Sequence, residues 1–276
     1  MYTGRSLWFP NGSKKAVTVS YDDGVIFDVK LCEILAKYKV KGTFNINSGM
    51  ENEPNRMSIK SCVELYKRTG QEVGYHGVNH IHYLNASSSQ TVLDVSLDRR
   101  NLEKATNGFI IGGAYPYGAY NEDVKKALQL SGIKYSRTTK STKKFNIPTD
   151  FLEWHPTCHH KDKDLFPLLD EFLNKKNYFA EVFYLWGHSY EFNNDDNWNI
   201  IEEFCQNVSD KKVWFATNGE IYRYVNAYNS LEFSADESFV YNPTQIDVYF
   251  NDFEINSPIK VPAGKTIKFP SGEVIE

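Results

Sequence analysis

Two adjacent carboxylates, Asp22 and Asp23, end a short β-prone run and are followed at once by Gly24. Side by side the two charges repel, so a fold that keeps both ionised needs a cation close by. Gly24 lets the chain turn sharply or lets another group approach the backbone. A metal ligand beside a base is one chemistry for such a pair; a polar turn closing a strand is the alternative. In Tyr75-His76-Gly77-Val78-Asn79-His80, two of the seven histidines stand four residues apart. On a helix that spacing brings both imidazoles to one face, within reach of one metal; a pair of surface histidines is the plain alternative. A carboxylate from the Asp22-Asp23 turn would complete three ligands and leave a position for water, as in a catalytic zinc site. In Ala114-Tyr115-Pro116-Tyr117-Gly118 the proline fixes the backbone so that an N–H can face a developing oxyanion, unless the segment is only a connection. Leu185-Trp186-Gly187-His188 closes a strongly apolar run with a histidine suited to proton transfer, or with a core histidine bonded to a carbonyl. Asp150-Phe151-Leu152-Glu153-Trp154 offers two more carboxylates, and Thr157-Cys158-His159-His160 a further histidine pair beside Lys161 and Asp162.

Positioning these groups requires rigid elements. Val17 and Val19 alternate with Thr18 and Ser20, as in a buried strand. Apolar residues recur at helical spacing at Leu31, Ile34, Leu35 and Tyr38, and again at Ile59, Cys62, Val63 and Tyr66, where Gly70 stops the helix. Strands are expected at 42–46, 72–76, 109–111, 133–136, 182–186 and 213–216. Helices are expected through Val92 to Leu102, Val124 to Leu130, Leu165 to Leu173 and Trp198 to Phe204. Thr217-x-x-Glu220 reads as a capping box opening a last helix. Residues 138–157 resist assignment, with Pro148 and Pro156 breaking any pattern. Repeated strand–helix units predict parallel strands buried under helices, an open α/β sheet or a barrel, with ligands gathered at the C-terminal strand ends. Every cluster above falls at such an end.

From about residue 229 the pattern becomes short alternating strands separated by Asn242-Pro243, Pro258 and Ala263-Gly264. This divides the chain into a catalytic domain, 1–228, and a small all-β appendage, 229–276. The 276 residues suffice for one large core plus this appendage. A net charge of -4 gives no basic footprint, which argues against nucleic acid as a partner. The aromatic share, 15%, is high and suits a sugar-binding cleft as well as a packed core. The four cysteines show no C-x-x-C spacing, and free buried thiols are expected. No apolar stretch reaches membrane-spanning length, and Met1 to Arg5 lacks the pattern of a leader. As given, the chain reads as cytoplasmic, or as secreted if a leader has been trimmed.

Taken in order, the clusters resemble the polysaccharide deacetylase family, the NodB-homology or carbohydrate esterase family 4 fold. Asp22-Asp23-Gly24 is similar to its Thr-Phe-Asp-Asp-Gly motif, with Ser20-Tyr21 in place of Thr-Phe. His76-x-x-x-His80 is similar to His-Ser/Thr-x-x-His, with Gly77 at the Ser/Thr position. Tyr115-Pro116-Tyr117-Gly118 is similar to Arg-Pro-Pro-Tyr-Gly, and Leu185-Trp186-Gly187-His188 to the final Leu-x-His element with one extra residue. The resemblance covers roughly residues 10 to 225. It implies a distorted (β/α) barrel and a divalent metal, Zn²⁺ ahead of Co²⁺, Ni²⁺ or Mn²⁺, on Asp23, His76 and His80. It further implies Asp22 as base, His188 as acid, and Tyr115, Tyr117 and Trp186 around the oxyanion and substrate. The reaction implied is removal of acetyl groups from an N-acetylated sugar or polysaccharide. An O-acetyl esterase acting on xylan or a related glycan, a carbohydrate-binding protein with a decayed site, and a metal phosphoesterase are the alternatives. Two departures stand out. The arginine expected to orient the base falls on Ala114, and the aspartate that orients the acid is not evident. Asp150, Glu153, His159 and His160 are the candidates to fill these gaps.

Overall fold

The computed structural model describes residues 4–176, 178–253, 255 and 257–275; the opening residues 1–3, read above for a leader, lie outside them. In chain order the elements are β1 (Arg5–Trp8), β2 (Lys15–Asp22), α1 (Asp28–Lys37), β3 (Gly42–Ile46), α2 (Ile59–Thr69), β4 (Glu72–Tyr75), α3 (Ser88–Thr106), β5 (Gly112–Ala114), α4 (Glu122–Leu130) and β6 (Tyr135–Arg137). Then follow β7 (Cys158–His159), α5 (Leu165–Asn174), β8 (Glu181–Gly187), α6 (Ser189–Asn194), α7 (Asn199–Ser209), β9 (Trp214–Phe215) and α8 (Asn218–Asn229). The last strands are β10 (Glu232–Phe233), β11 (Phe239–Tyr241), β12 (Val248–Asp252), β13 (Pro258–Val261) and β14 (Thr266–Lys268).

The principal sheet runs β6-β5-β4-β3-β2-β8-β7, with β9 also paired to β2, and its pairings are all parallel. With helices packed around it, this is the distorted (β/α) barrel the motifs implied. β2 is its axis, pairing with β3, β8 and β9. Its alternation has two buried sides rather than one wet and one dry. Val17, Val19 and Tyr21 enter the main apolar core with Leu31, Phe44, Phe183 and Leu185. Thr18, Ser20 and Asp22 join a polar file: Thr18 Oγ1 donates to Asn218 at 2.8 Å, and Asn45 Nδ2 donates to Ser20 Oγ at 2.9 Å. Buried polar groups are tolerated when bonded to one another, and here the file leads to the base position at the strand end.

Several elements depart from the sequence expectations. The strand expected at 109–111 forms instead at Gly112–Ala114, and Phe109 is 81% exposed. The glycines of this strand allow close approach: a Cβ on Gly113 would lie 2.0 Å from the carbonyl oxygen of Tyr75 on β4. The small β unit is not purely C-terminal. β1 pairs antiparallel with β12, which pairs with β13, while β10, β11 and β14 form a second three-stranded sheet. Neither β1 nor β13 had been expected. All four cysteines are free and buried. Among the described residues no helix is long and apolar enough to cross a membrane.

Candidate active site

β2 ends in a turn that no helix or strand could make. Asp23 has φ 90° and Gly24 φ 62°, and the Asp23 N–H is held by the Asn45 carbonyl at 2.8 Å. A non-glycine residue at such a φ is costly and persists where its surroundings enforce it. The turn sends the neighbouring carboxylates in different directions. Asp22 points into the barrel, where it is 2% exposed. Asp23 turns toward the loop after β4, and its Oδ1 is buried without a hydrogen bond, although Arg56 Nη1 lies 3.0 Å away.

The two histidines after β4 do converge, but not on a helix. Gly77 and His80 have φ 75° and 51°, so the segment is a tight loop. His80 Nε2 nevertheless stands 3.1 Å from His76 Nε2. His76 Nδ1 sits 2.9 Å from the Ala114 carbonyl, which can only accept. This assigns the proton to Nδ1 and leaves the Nε2 lone pair facing His80. Burial, with His76 adding to it, lowers the His80 pKa to about 4, so that imidazole is neutral. The ligand atoms of Asp23, His76 and His80 all lie within 4.8 Å of one another. A carboxylate oxygen without a hydrogen bond and two imidazoles facing each other through Nε2 fit a divalent cation such as Zn²⁺.

Asp22 is held by a residue that the sequence reading did not single out. Arg137, fully buried at the end of β6, donates from Nη2 to Asp22 Oδ2. Its Nε reaches Ser20 Oγ at 3.2 Å and its guanidinium stacks on Trp186 at 4.3 Å. In the β5–β6 ladder Arg137 lies directly opposite Ala114, the position where an arginine was expected. The missing cation is thus supplied from the adjoining strand. Asn45 Nδ2 donates to Asp22 Oδ1 at 2.7 Å. Burial favours a neutral Asp22, but the charges of Arg137, His76 and His188 overcome it and hold the carboxyl well below the usual range.

His188 follows β8 and precedes α6. Its Nε2 is 3.9 Å from Asp22 Oδ2, while its Nδ1 is 3.3 Å from Glu191 Oε2. Glu191 also closes a capping box, accepting the His188 N–H at 3.0 Å. Burial opposes charge on His188, but the Glu191 hydrogen bond and the charges of Asp22 and Asp23 outweigh it and raise its pKa. Glu191, not Asp150 or Glu153, therefore stands behind the histidine. Asp150 and Glu153 instead meet Lys125 Nζ, at 2.7 and 3.4 Å, away from this site. His159 and His160 do belong to its surroundings: their Nε2 atoms lie 3.0 and 3.5 Å from Glu191 Oε2. Those three side chains are spaced closely enough for an ion. However, the Lys161 N–H donates to His159 Nδ1 at 3.1 Å, which places the His159 proton on Nε2, toward Glu191, where a metal would have to bind.

The remaining expected residues divide. Tyr117 is 63% exposed at the rim, its ring edge-on to His80 at 4.4 Å. Tyr115 is a correction: it is 1% exposed, and its hydroxyl donates to the Leu152 carbonyl at 2.8 Å, so it packs the barrel wall and cannot meet a substrate. Trp186 is likewise buried, its ring under the Arg137 guanidinium and edge-on to His159 at 4.7 Å.

Residues 10–136 match the family described as polysaccharide deacetylase. The chain is 25% identical over 134 residues to a protein of Bacillus cereus named peptidoglycan-N-acetylglucosamine deacetylase, a span that covers 48% of this chain and 60% of that one. The chain thus matches less than two thirds of the length of this relative. A candidate polysaccharide deacetylase from Mycobacterium smegmatis shares the fold at TM-score 0.61 and 17% identity, over 81% of this chain and 94% of that one. A family 4 carbohydrate esterase pseudoenzyme from Bacillus anthracis also shares it, at TM-score 0.50 and 20% identity, over 78% and 66% of the two chains.

Proposed function

Residues 10–136 belong to the polysaccharide deacetylase family, and from that premise we propose that the chain is a metal-dependent hydrolase that removes acetyl groups from an N-acetylated sugar unit. The observation that carries the reading is a convergence. Asp22 Oδ2 lies 3.8 Å from His76 Nε2 and 3.9 Å from His188 Nε2, so base, ligand group and acid face one space. The recovered arginine weighs against a decayed site, because the base has its cation.

A divalent cation on Asp23, His76 and His80 would supply Lewis-acid polarisation of the acetyl carbonyl and would acidify a water beside it. The chain's own residues do the rest. Asp22, kept ionised by Arg137, takes the proton of the attacking water. His188 Nε2, held by Glu191 through Nδ1, gives a proton to the leaving nitrogen. That donation matters more for an amide than for an ester, because an amine anion is a far poorer leaving group. Tyr117 stands where its backbone and ring can border the acetyl group. A groove of about 700 Å³ runs from His80 past His82 and Leu93 to Tyr117, which gives a sugar room beside the ligand loop. The name of the Bacillus cereus relative makes N-acetylglucosamine in peptidoglycan the first substrate to try.

The test is release of acetate from N-acetylglucosamine oligomers and peptidoglycan fragments, with O-acetylated xylan as the comparison. Wild-type activity should vanish with a chelator and return with Zn²⁺ or Co²⁺. Asp22→Asn should lose roughly 10²–10⁴-fold in kcat with metal content retained. Undiminished turnover by Asp22→Asn, or activity indifferent to chelation, would sink the assignment.

A further inference from the structure

The convergence of His76 and His80 depends on a loop that does not hold itself. Gly77 and His80 occupy the left-handed region, where an unconstrained histidine seldom stays. Hydrogen bonds within the 76–80 segment do not account for that shape. The acceptors come from α3. Asp94 and Asp98 stand four residues apart and so share one helix face, and both are buried, at 9% and 0% exposure. Asp98 accepts two backbone N–H groups, from Ser48 after β3 at 2.9 Å and from His76 at 3.0 Å. It therefore ties two successive strand-end loops to one carboxylate. Asp94 accepts the Val78 N–H, at 3.2 Å to Oδ1, and the Tyr83 hydroxyl, at 2.9 Å to Oδ2. Asn47 Nδ2 completes the frame by donating to the Gly77 carbonyl at 3.1 Å.

Gly77 now has a physical reason. A Cβ at this position would lie 2.6 Å from Asp94 Oδ2 and 2.7 Å from Tyr83 Oη. The Asp94–Tyr83 pair fills the volume that any other side chain at position 77 would need. The departure from Ser/Thr at that position and the carboxylates on α3 are two halves of one arrangement. Neither aspartate contacts Asp23 or a histidine ring, so these are positioning residues and not ligands.

We propose that Asp94 and Asp98 set the divalent-metal affinity of the Asp23–His76–His80 site, by clamping the 76–80 loop from α3 around a space that Gly77 keeps clear for Asp94 and Tyr83. The inference rests on the metal-dependent reading above and extends it. A framework of this kind acts on affinity, because a loop free to relax must be reordered each time the cation binds. Losses of 10–100-fold are usual when the partners that orient metal ligands are removed.

The experiment is Co²⁺ titration of the metal-free protein, followed by the visible absorption of the bound ion, for wild type, Asp98→Asn, Asp94→Ala, Gly77→Ala and the Gly77→Ala/Asp94→Ala double variant. Val240→Ala, in the core of the C-terminal sheets, serves as a control for loss of stability alone. Asp98→Asn and Asp94→Ala should weaken Co²⁺ binding roughly 10–100-fold, with kcat recovering toward wild type at saturating metal. Val240→Ala should lower Tm without moving the Co²⁺ dissociation constant. The loss caused by Gly77→Ala should shrink, though not vanish, once Asp94 has been truncated, since the contact with Asp94 is then gone while that with Tyr83 remains. Folded Asp98→Asn and Asp94→Ala proteins that bind Co²⁺ within about twofold of wild type would overturn the proposal and leave the proposed function intact. A wild-type chain that binds no Co²⁺ would overturn the metal-dependent reading and this inference together.

Discussion

Arg137 meets the carboxylate proposed as base from a strand next to the one on which the motif would place an arginine. It meets Asp22 from β6, opposite Ala114 on β5, and is buried on all sides. From the sequence, Tyr135-Ser136-Arg137 is an ordinary strand end, and cross-strand register is not written in local spacing. The motif residues Asp22, Asp23, His76, His80 and His188 stand out in the sequence because each ends a strand or lies within five residues of a strand end. Glu191 was visible only as a neighbour of His188 until the capping box aimed it. The role of Arg137 can be tested by its effect on the base. In Arg137→Gln the burial of Asp22 is no longer opposed by the guanidinium, so the carboxyl pKa should rise. The acid limb of the kcat/KM profile should move upward by at least about one pH unit. Folding stability should fall by about 3–5 kcal/mol, the usual cost of leaving a buried charge unpaired. Arg137→Lys keeps a positive charge and should hold the limb nearer to wild type. An acid limb in Arg137→Gln that coincides with wild type would show that Asp22 is not the group being titrated.

Helices and strands were mostly legible where the apolar period was strong, as in α1, α2 and β8. They were not legible where the backbone itself was the constraint. β5 has Gly112 and Gly113 where a side chain would meet the Tyr135 ring of β6 and the Tyr75 backbone of β4, and glycine pairs carry no hydrophobic signal. The i, i+4 spacing of His76 and His80 would share a face on a helix, yet positive φ at Gly77 and His80 makes the segment a loop. How helices hold the site is also a matter of buried groups rather than period. Asp28, at the first turn of α1, accepts the Tyr66 hydroxyl of α2 at 2.6 Å and the hydroxyl of Ser189 on α6, next to His188. Burial raises its pKa from 3.8 to about 7. A carboxyl with a raised folded-state pKa binds its proton more tightly in the native protein. Its stabilisation is complete below the unfolded value near 3.8 and is lost as pH rises through about 7. Wild-type stability should therefore decline by roughly 2 kcal/mol between about pH 5 and pH 8 on account of this group. Asp28→Asn, which cannot titrate, should flatten that slope in denaturant midpoints measured across the range. An unchanged slope in the variant would assign the pH dependence to other groups.

At the scale of the whole molecule, the two ends of the chain are fastened together on the side of the barrel away from the site. β1 pairs with β12 from Arg5↔Asp252 to Trp8↔Tyr249, and α8 packs beside them. One hydroxyl joins all three: Tyr224 on α8 donates to the Trp8 carbonyl at 2.9 Å and accepts the Tyr249 N–H at 2.9 Å. Phe9, Trp214 and Tyr224 pack with tilted rings around this junction, which gives the small sheets an apolar footing on the barrel. Trp214 of this junction pairs with Ala16 near the start of β2, and Asp22 ends that strand six residues later, about 20 Å away at the usual strand rise. A contact at that distance should act on cohesion and not on chemistry. Tyr224→Phe removes the shared hydroxyl and leaves a buried N–H and carbonyl without their partner. It should cost about 1–3 kcal/mol, read as a lower Tm, with kcat and Co²⁺ affinity at 25 °C unchanged. A variant that keeps its Tm would mean that the apolar footing alone secures the small sheets. A variant that loses kcat while keeping Tm would mean that the junction reaches the site through β2, and the view of the β unit as a brace would have to be given up.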